Sequence, residues 1–287
     1  MAPWSLHDDA LGSPRVTASW SRRAETKPAR RDEVAASCVH GGASGGTARS
    51  LDDARAFPSG SAWNPCARSG YNHAPVLPPE TLIMELSQAI RERGSVKSYD
   101  PDHVIDEATL RELMELTLRT PSSFNLQHWR FVMVRDAELK QALKAASWHQ
   151  SHVGEASIDV IVCGKLAAHD DAERIWTEAG EDVAAKMTPM IGGFYAGNES
   201  LQRDEAIRSG SLAAMTLMLA AQSLGLNTCP MIGFDPKRVS EVLNIPADHV
   251  PVMMITLGKG TSAARPSGRL PMSEVVRFDT FDGAPLS

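Results

Sequence analysis

The stretch SLAAMTLMLAAQSLGL, residues 211–226, restricts the fold more than any other. It ends a segment of helical spacing that begins near residue 199. A helix that is apolar nearly all round is buried on more than one side, so other elements must pack around it. Gly225 marks its end.

Around this helix the spacing predicts shorter elements. Residues 81–93 read as a helix with Leu82, Leu86, Ala89 and Ile90 on one face, stopped by Gly94. Residues 105–118 read as a second helix, capped by Asp106, with a stripe of Leu110, Leu113, Met114 and Thr117. Helices are also expected at residues 137–147 and 172–187, and near Asp235 after a tight segment at residues 229–233. Strands are expected at 130–134, 158–163 and 252–257, with an edge strand at 275–278. Residues 188–197, TPMIGGFYAG, read as a mobile loop hinged at Gly192-Gly193. Its Met190, Phe194 and Tyr195 either line a pocket or tuck into the core. This is not a regular βαβ alternation, and it lacks the Gly-x-Gly-x-x-Gly and Walker patterns. An α+β fold with a mixed central sheet surrounded by helices follows.

Residues 1–80 differ from the rest. They are rich in Ala, Ser, Gly, Pro and Arg, without a core period. They read as a disordered extension or as translated sequence ahead of the true start, with Met84 a plausible internal start. Residues 81–287 then form the folded domain. GGASGG at residues 41–46 fits a hydrolase pattern formally, but lacks the strand and helix that such a nucleophile needs.

The 287 residues carry a net charge of −6, which argues against a nucleic-acid binder. No apolar run is long enough to span a bilayer, and no segment reads as a secretory signal. Cys38, Cys66, Cys163 and Cys229 show neither metal-ligand nor disulfide spacing. A cytoplasmic protein is expected, without a nucleic-acid or membrane partner.

Two segments carry binding chemistry. TPSSFNLQHW, residues 120–129, packs hydroxyls and amides between a helix and a strand. Pro121 pushes Thr120 out of the helical region, so the preceding helix stops here. Ser122, Ser123, Asn125 and Gln127 offer the donors and acceptors that a flat polar heterocycle needs. The segment can also be an ordinary helix-to-strand connection. Arg93, Ser95 and Lys97 alternate along an extended stretch, so two cations and a hydroxyl share one side as an anion cradle. A solvated basic turn is the other reading. His149, His152 and Glu155 are not spaced to hold a metal, and Cys229 reads as a buried structural thiol.

Four motifs in order resemble the FMN-dependent nitroreductase family. They are RGSVKSYDP at residues 93–101, PSSFNLQHW at 121–129, CPMIGFD at 229–235 and GRLP at 268–271. The match runs over about residues 84–278. The resemblance implies FMN at a homodimer interface, each site using both subunits of an intertwined pair. Arg93, Ser95, Lys97 and Arg269 would hold the phosphate, ribityl chain and pyrimidine edge, with Arg269 the main phosphate ligand and Lys259 or Arg265 possible aids. Pro121, Ser122, Ser123, Asn125 and Gln127 would position the ring, with Ile232 and Gly233 against it. Gly94 stands where the family usually has arginine, and would free the backbone to approach a ligand. Gln150, or His149 beside it, would touch the flavin edge.

No side chain acts as a nucleophile in this reading, and Lys97 lends electrostatic support. The implied function is hydride transfer from NAD(P)H through flavin to nitroaromatics, quinones or related electron-poor acceptors, by a ping-pong mechanism. The alternatives are a non-catalytic flavin store or sensor, or a family enzyme of another type (dehalogenation, dehydrogenation, flavin breakdown).

Overall fold

A computed structural model describes residues 84–287. The expected extension, the GGASGG tract, Leu82, Cys38 and Cys66 lie outside the described residues.

Nine helices and four strands are described: α1 (Leu86–Glu92), α2 (Glu107–Thr117), β1 (Trp129–Val134), α3 (Ala137–Ala146), α4 (His152–Glu155), β2 (Ile158–Lys165), α5 (Ala172–Trp176), α6 (Glu181–Tyr195), α7 (Glu199–Ser223), β3 (Asn227–Met231), α8 (Pro236–Leu243), β4 (His249–Gly258) and α9 (Met272–Val275). The strands form one sheet in the order β1-β2-β4-β3, each pair antiparallel. The described strands pair only antiparallel, and the parallel element of the expected mixed sheet is limited to an isolated bridge between Ser95 and Thr228 beside β3.

Alternation along the strands sorts the core into two layers. Ile158, Val160 and Val162 of β2, with Ile255 and Leu257 of β4, meet Leu110 and Leu113 of α2 and Ala214, Leu217 and Ala221 of α7. The opposite face presents Ile161, Cys163 and Met254 to Leu143 and Ala146 of α3 and Val239 of α8. The small alanines of α7 let the helix lie close against the sheet. The caps form as expected: the Asp106 carboxylate accepts from Thr109 N at 2.9 Å, and Asp235 does the same for Lys237 and Arg238.

The structure corrects several expectations. Residues 188–197 are not a loop, because α6 continues to Tyr195. Ala184, Ile191 and Tyr195 recur at helical spacing and are buried, and that packing outweighs the two glycines and Pro189. The break falls at Gly180 instead, whose φ of 117° suits glycine, and it splits the helix expected at 172–187. Residues 227–231 form the edge strand β3, where a tight segment was expected. The edge strand expected at 275–278 is the end of the short helix α9 followed by an isolated bridge from Arg277 to Pro285. In α1 only Ala89 of the expected face is buried; Leu86 and Ile90 are exposed. On α7, Leu212 and Met215 are also exposed, so the described residues cover the helix on only part of its surface.

Candidate functional site

The structure gathers the candidate residues into two groups. The first is built on the Ser95–Thr228 bridge, reinforced by Val96 N donating to Thr228 O at 3.1 Å. Val96 and Tyr99 are buried while Ser95 and Lys97 are exposed, so the expected alternation holds. Tyr99 anchors the segment, its hydroxyl meeting Thr256 Oγ1 at 2.9 Å.

The bridge sets Arg93, Ser95 and Lys97 around Cys229. Burial pushes the Cys229 thiol up, against the opposing pull of Lys97, a hydrogen bond with Ser95, and Arg93. It stays a protonated structural thiol. Burial lowers the pKa of His152, Lys97 lowers it further and Glu155 partly offsets this, so the ring is neutral. Among the described residues, Arg93 Nη1 and His152 Nε2 of this region are buried without a hydrogen-bond partner. A buried guanidinium nitrogen left unsatisfied is costly unless an anion completes it.

Gln150 joins this region to the next loop, its Nε2 donating to Gly233 O at 3.0 Å. His149 is exposed and does not take that place. Ile232, next to Gly233 in the chain, is 76% exposed. Gly94 packs closely against a distant part of the chain. A Cβ there would overlap the Cβ of Ala264, so the missing side chain makes room for the segment after β4. That segment is also tied down by the Tyr99–Gly260 bridge and by Ser98 Oγ meeting Thr261 Oγ1 at 2.7 Å. Arg269 lies further along it, exposed, its Nη1 donating to Ser267 Oγ at 2.9 Å and Gly268 O at 2.9 Å.

The second group is the loop after α2. The helix ends at Thr117, and Thr120 Oγ1 donates to Thr117 O at 2.7 Å ahead of Pro121. Ser123–Asn125 makes one 3-10 turn, and Phe124, Asn125 and Gln127 all have positive φ. Three non-glycine residues in the left-handed region within four positions mark stored backbone strain. The loop is braced from outside. Trp176 Nε1 donates to Phe124 O at 3.1 Å, Arg130 Nη1 to Gln127 O at 2.9 Å, and the Tyr195 hydroxyl to Ser123 Oγ at 2.7 Å. Ser122 Oγ accepts from Gln127 N at 2.9 Å.

Sequence reasoning missed two features. Tyr195 lies in the core at 1% exposure, one of its two expected places, but the bond of its hydroxyl to the loop was not foreseen. Its helical spacing from Ile191 was the available signal. Asp159 was expected as part of an apolar strand, but among the described residues both its carboxylate oxygens are buried without a close hydrogen-bond partner. Burial pushes its pKa up to about 7, with Lys140 partly opposing.

Among the described residues no three His, Cys, Asp or Glu side chains converge as metal ligands, and no helix is long and apolar enough to cross a membrane. Cys163 and Cys229 are free thiols.

Known proteins resemble this chain in sequence and fold. Residues 90–259 match the model of the Nitroreductase family. Protein DrgA of Synechocystis is 38% identical over 200 residues, 67% of this chain and 95% of that protein. The oxygen-insensitive NADPH nitroreductase of Helicobacter pylori is 30% identical, over 63% of this chain and 90% of its own. A protein from Exiguobacterium sibiricum solved in complex with FMN superposes with a TM-score of 0.65 at 29% identity, covering 68% of this chain and 98% of that one.

Proposed function

This chain belongs to the nitroreductase family, and from that premise we propose that it is an NAD(P)H-dependent flavin oxidoreductase acting on nitroaromatics, quinones or related electron-poor acceptors. One observation carries the cofactor assignment: the buried, unpartnered Nη1 of Arg93, in line with the Ser95 hydroxyl and the Lys97 ammonium. This donor set suits the phosphate and polar edge of FMN. When bound, FMN supplies the redox chemistry, taking up hydride from NAD(P)H and passing it on to the acceptor.

The protein's part is to bind and orient. Arg93 neutralises an anionic oxygen that would otherwise be buried without charge compensation. Lys97 places a fixed cation where reduction adds negative charge. Ile232 and the Gly233 backbone, held by Gln150, form an apolar wall that keeps water from one side of the ring. Ser122, Ser123, Asn125 and Gln127 orient the ring from the second group, with Pro121 fixing where the loop begins.

The two groups meet in a homodimer, the loop of one copy facing the cations of the other. The exposed Leu86, Ile90, Leu212 and Met215 support this, since α1 and α7 pack together and leave an apolar surface to cover. The cytoplasm, where NAD(P)H is supplied, is where this chemistry belongs.

The experiment is the absorbance of the purified protein before and after anaerobic NADPH and NADH. A yellow protein that bleaches with either is expected. Colourless protein that takes up no added FMN would overturn the reading. Steady-state kinetics with a quinone and a nitroaromatic should give parallel double-reciprocal lines, as two half-reactions in one pocket require. Intersecting lines would reject the shared pocket.

A further inference from the structure

Tyr195 sits in an enclosed aromatic setting. Its ring stacks on His169 with centroids 5.7 Å apart and planes 24° apart, and His128 lies edge-on at 6.3 Å. Burial holds His128 down at about 4, against a raising effect of Glu205, so this ring is neutral near pH 7. Phenylalanine would fill the same space. The hydroxyl does one further thing, which is to donate to Ser123 Oγ at 2.7 Å. Burial also raises the Tyr195 pKa, so the hydroxyl keeps its proton and stays a donor.

That direction matters for what Ser123 can offer. A hydroxyl has one hydrogen and two acceptor positions. With its oxygen accepting from Tyr195, Ser123 keeps its own hydrogen to give elsewhere. Ser122 is in the same state, because its oxygen accepts from Gln127 N. Two adjacent serines are thus set as donors toward an acceptor-rich ligand. The loop that carries them holds three strained residues, so its shape depends on its braces.

We propose that Tyr195 is a positioning residue for the flavin: through its hydrogen bond it sets Ser123 as a hydrogen donor to a carbonyl or phosphate oxygen of FMN. The inference deepens the function proposed above and rests on it. It also ties α6, which exposes Met190 and Phe194, to the cofactor, since Phe194 packs edge-on to both Phe124 and Tyr195 at 5.7 and 5.1 Å.

The test is a double-mutant cycle on full-length protein, read as FMN affinity by fluorescence quenching and as the visible circular dichroism of the bound flavin. Tyr195→Phe should weaken FMN binding about two- to tenfold, the range for one neutral hydrogen bond, and alter the flavin dichroism, with the melting temperature of the apoprotein nearly kept. Ser123→Ala should lose a similar factor. The double variant should be no worse than Ser123→Ala alone, because both changes cut one path. Wild-type affinity in Tyr195→Phe, or a loss that persists in full on the Ser123→Ala background, overturns the inference. Should Tyr195→Phe fail to fold, Ser123→Ala alone decides, and unchanged affinity and dichroism there overturn it. If the wild-type protein itself binds no FMN, it is the function proposed above that fails.

Discussion

Ser95 and Thr228 pair across a parallel bridge at the β3 edge, and this one contact between distant parts of the chain seats the cations beside the Cys-Pro-Met-Ile-Gly segment. Arg93 lies two residues before the bridge and Lys97 two after it. Both therefore face the region next to Cys229, where each acts on the thiol. The basic segment is thereby tied to the sheet edge.

Arg93→Ala should weaken FMN binding about tenfold to over a hundredfold, or roughly 1.5–3 kcal/mol, the range for a hydrogen bond to a charged group. Arg269→Ala should lose less, because the Arg269 guanidinium is exposed and already bonded to Ser267 and Gly268. Titration of apoprotein with FMN measures both. Equal losses would return Arg269 to the leading place that the sequence implied.

Lys97→Ala should slow reduction of the bound flavin by NAD(P)H more than it weakens FMN binding. The reason is that Lys97 favours the state with added negative charge. Anaerobic stopped-flow at 450 nm (about the long-wavelength flavin band) reads the rate, and a separate titration reads the affinity. A loss of affinity with an unchanged reduction rate would make Lys97 a simple phosphate ligand.

Asp159 and His128 pull the pH dependence of stability in opposite directions. The folded pKa of Asp159 is raised from 3.8 to about 7, so folded protein holds a proton that unfolded chain releases, and this group's contribution falls as pH rises from about 4 to 7. The folded pKa of His128 is lowered from 6.5 to about 4, so its contribution rises with pH between about 4 and 6.5. Asp159→Asn removes the first slope and leaves the second. Urea midpoints should therefore climb more between pH 4.5 and 6.5 in the variant than in wild type. Parallel profiles would show that Asp159 is ionised in the folded protein at both pH values.

Leu212→Glu with Met215→Glu should convert a dimer to a monomer and release FMN, since both side chains lie on the open surface of α7. Light scattering gives the mass, and absorbance of the filtrate gives the free flavin. A monomer that keeps its flavin would place the whole site within one chain.

The sequence by itself determined the elements whose signal is local. The α7 helix, the Asp106 and Asp235 sites, and the strands at β1, β2 and β4 were legible because period and capping are properties of neighbouring residues. The motifs also named the residues that the fold gathers into the two groups, and they lie in order along the chain. Tertiary structure decided what depends on contacts between distant residues. It extended α6 through two glycines and a proline because Ile191 and Tyr195 have a core to enter. It set Gly94 against Ala264, where a Cβ would overlap. It turned Tyr195 onto Ser123 and left Arg93 with a buried nitrogen that no part of its described chain satisfies. Local pattern can propose which side chains are polar or apolar, but the partner each one meets is set only when the sheet and its helices close around it.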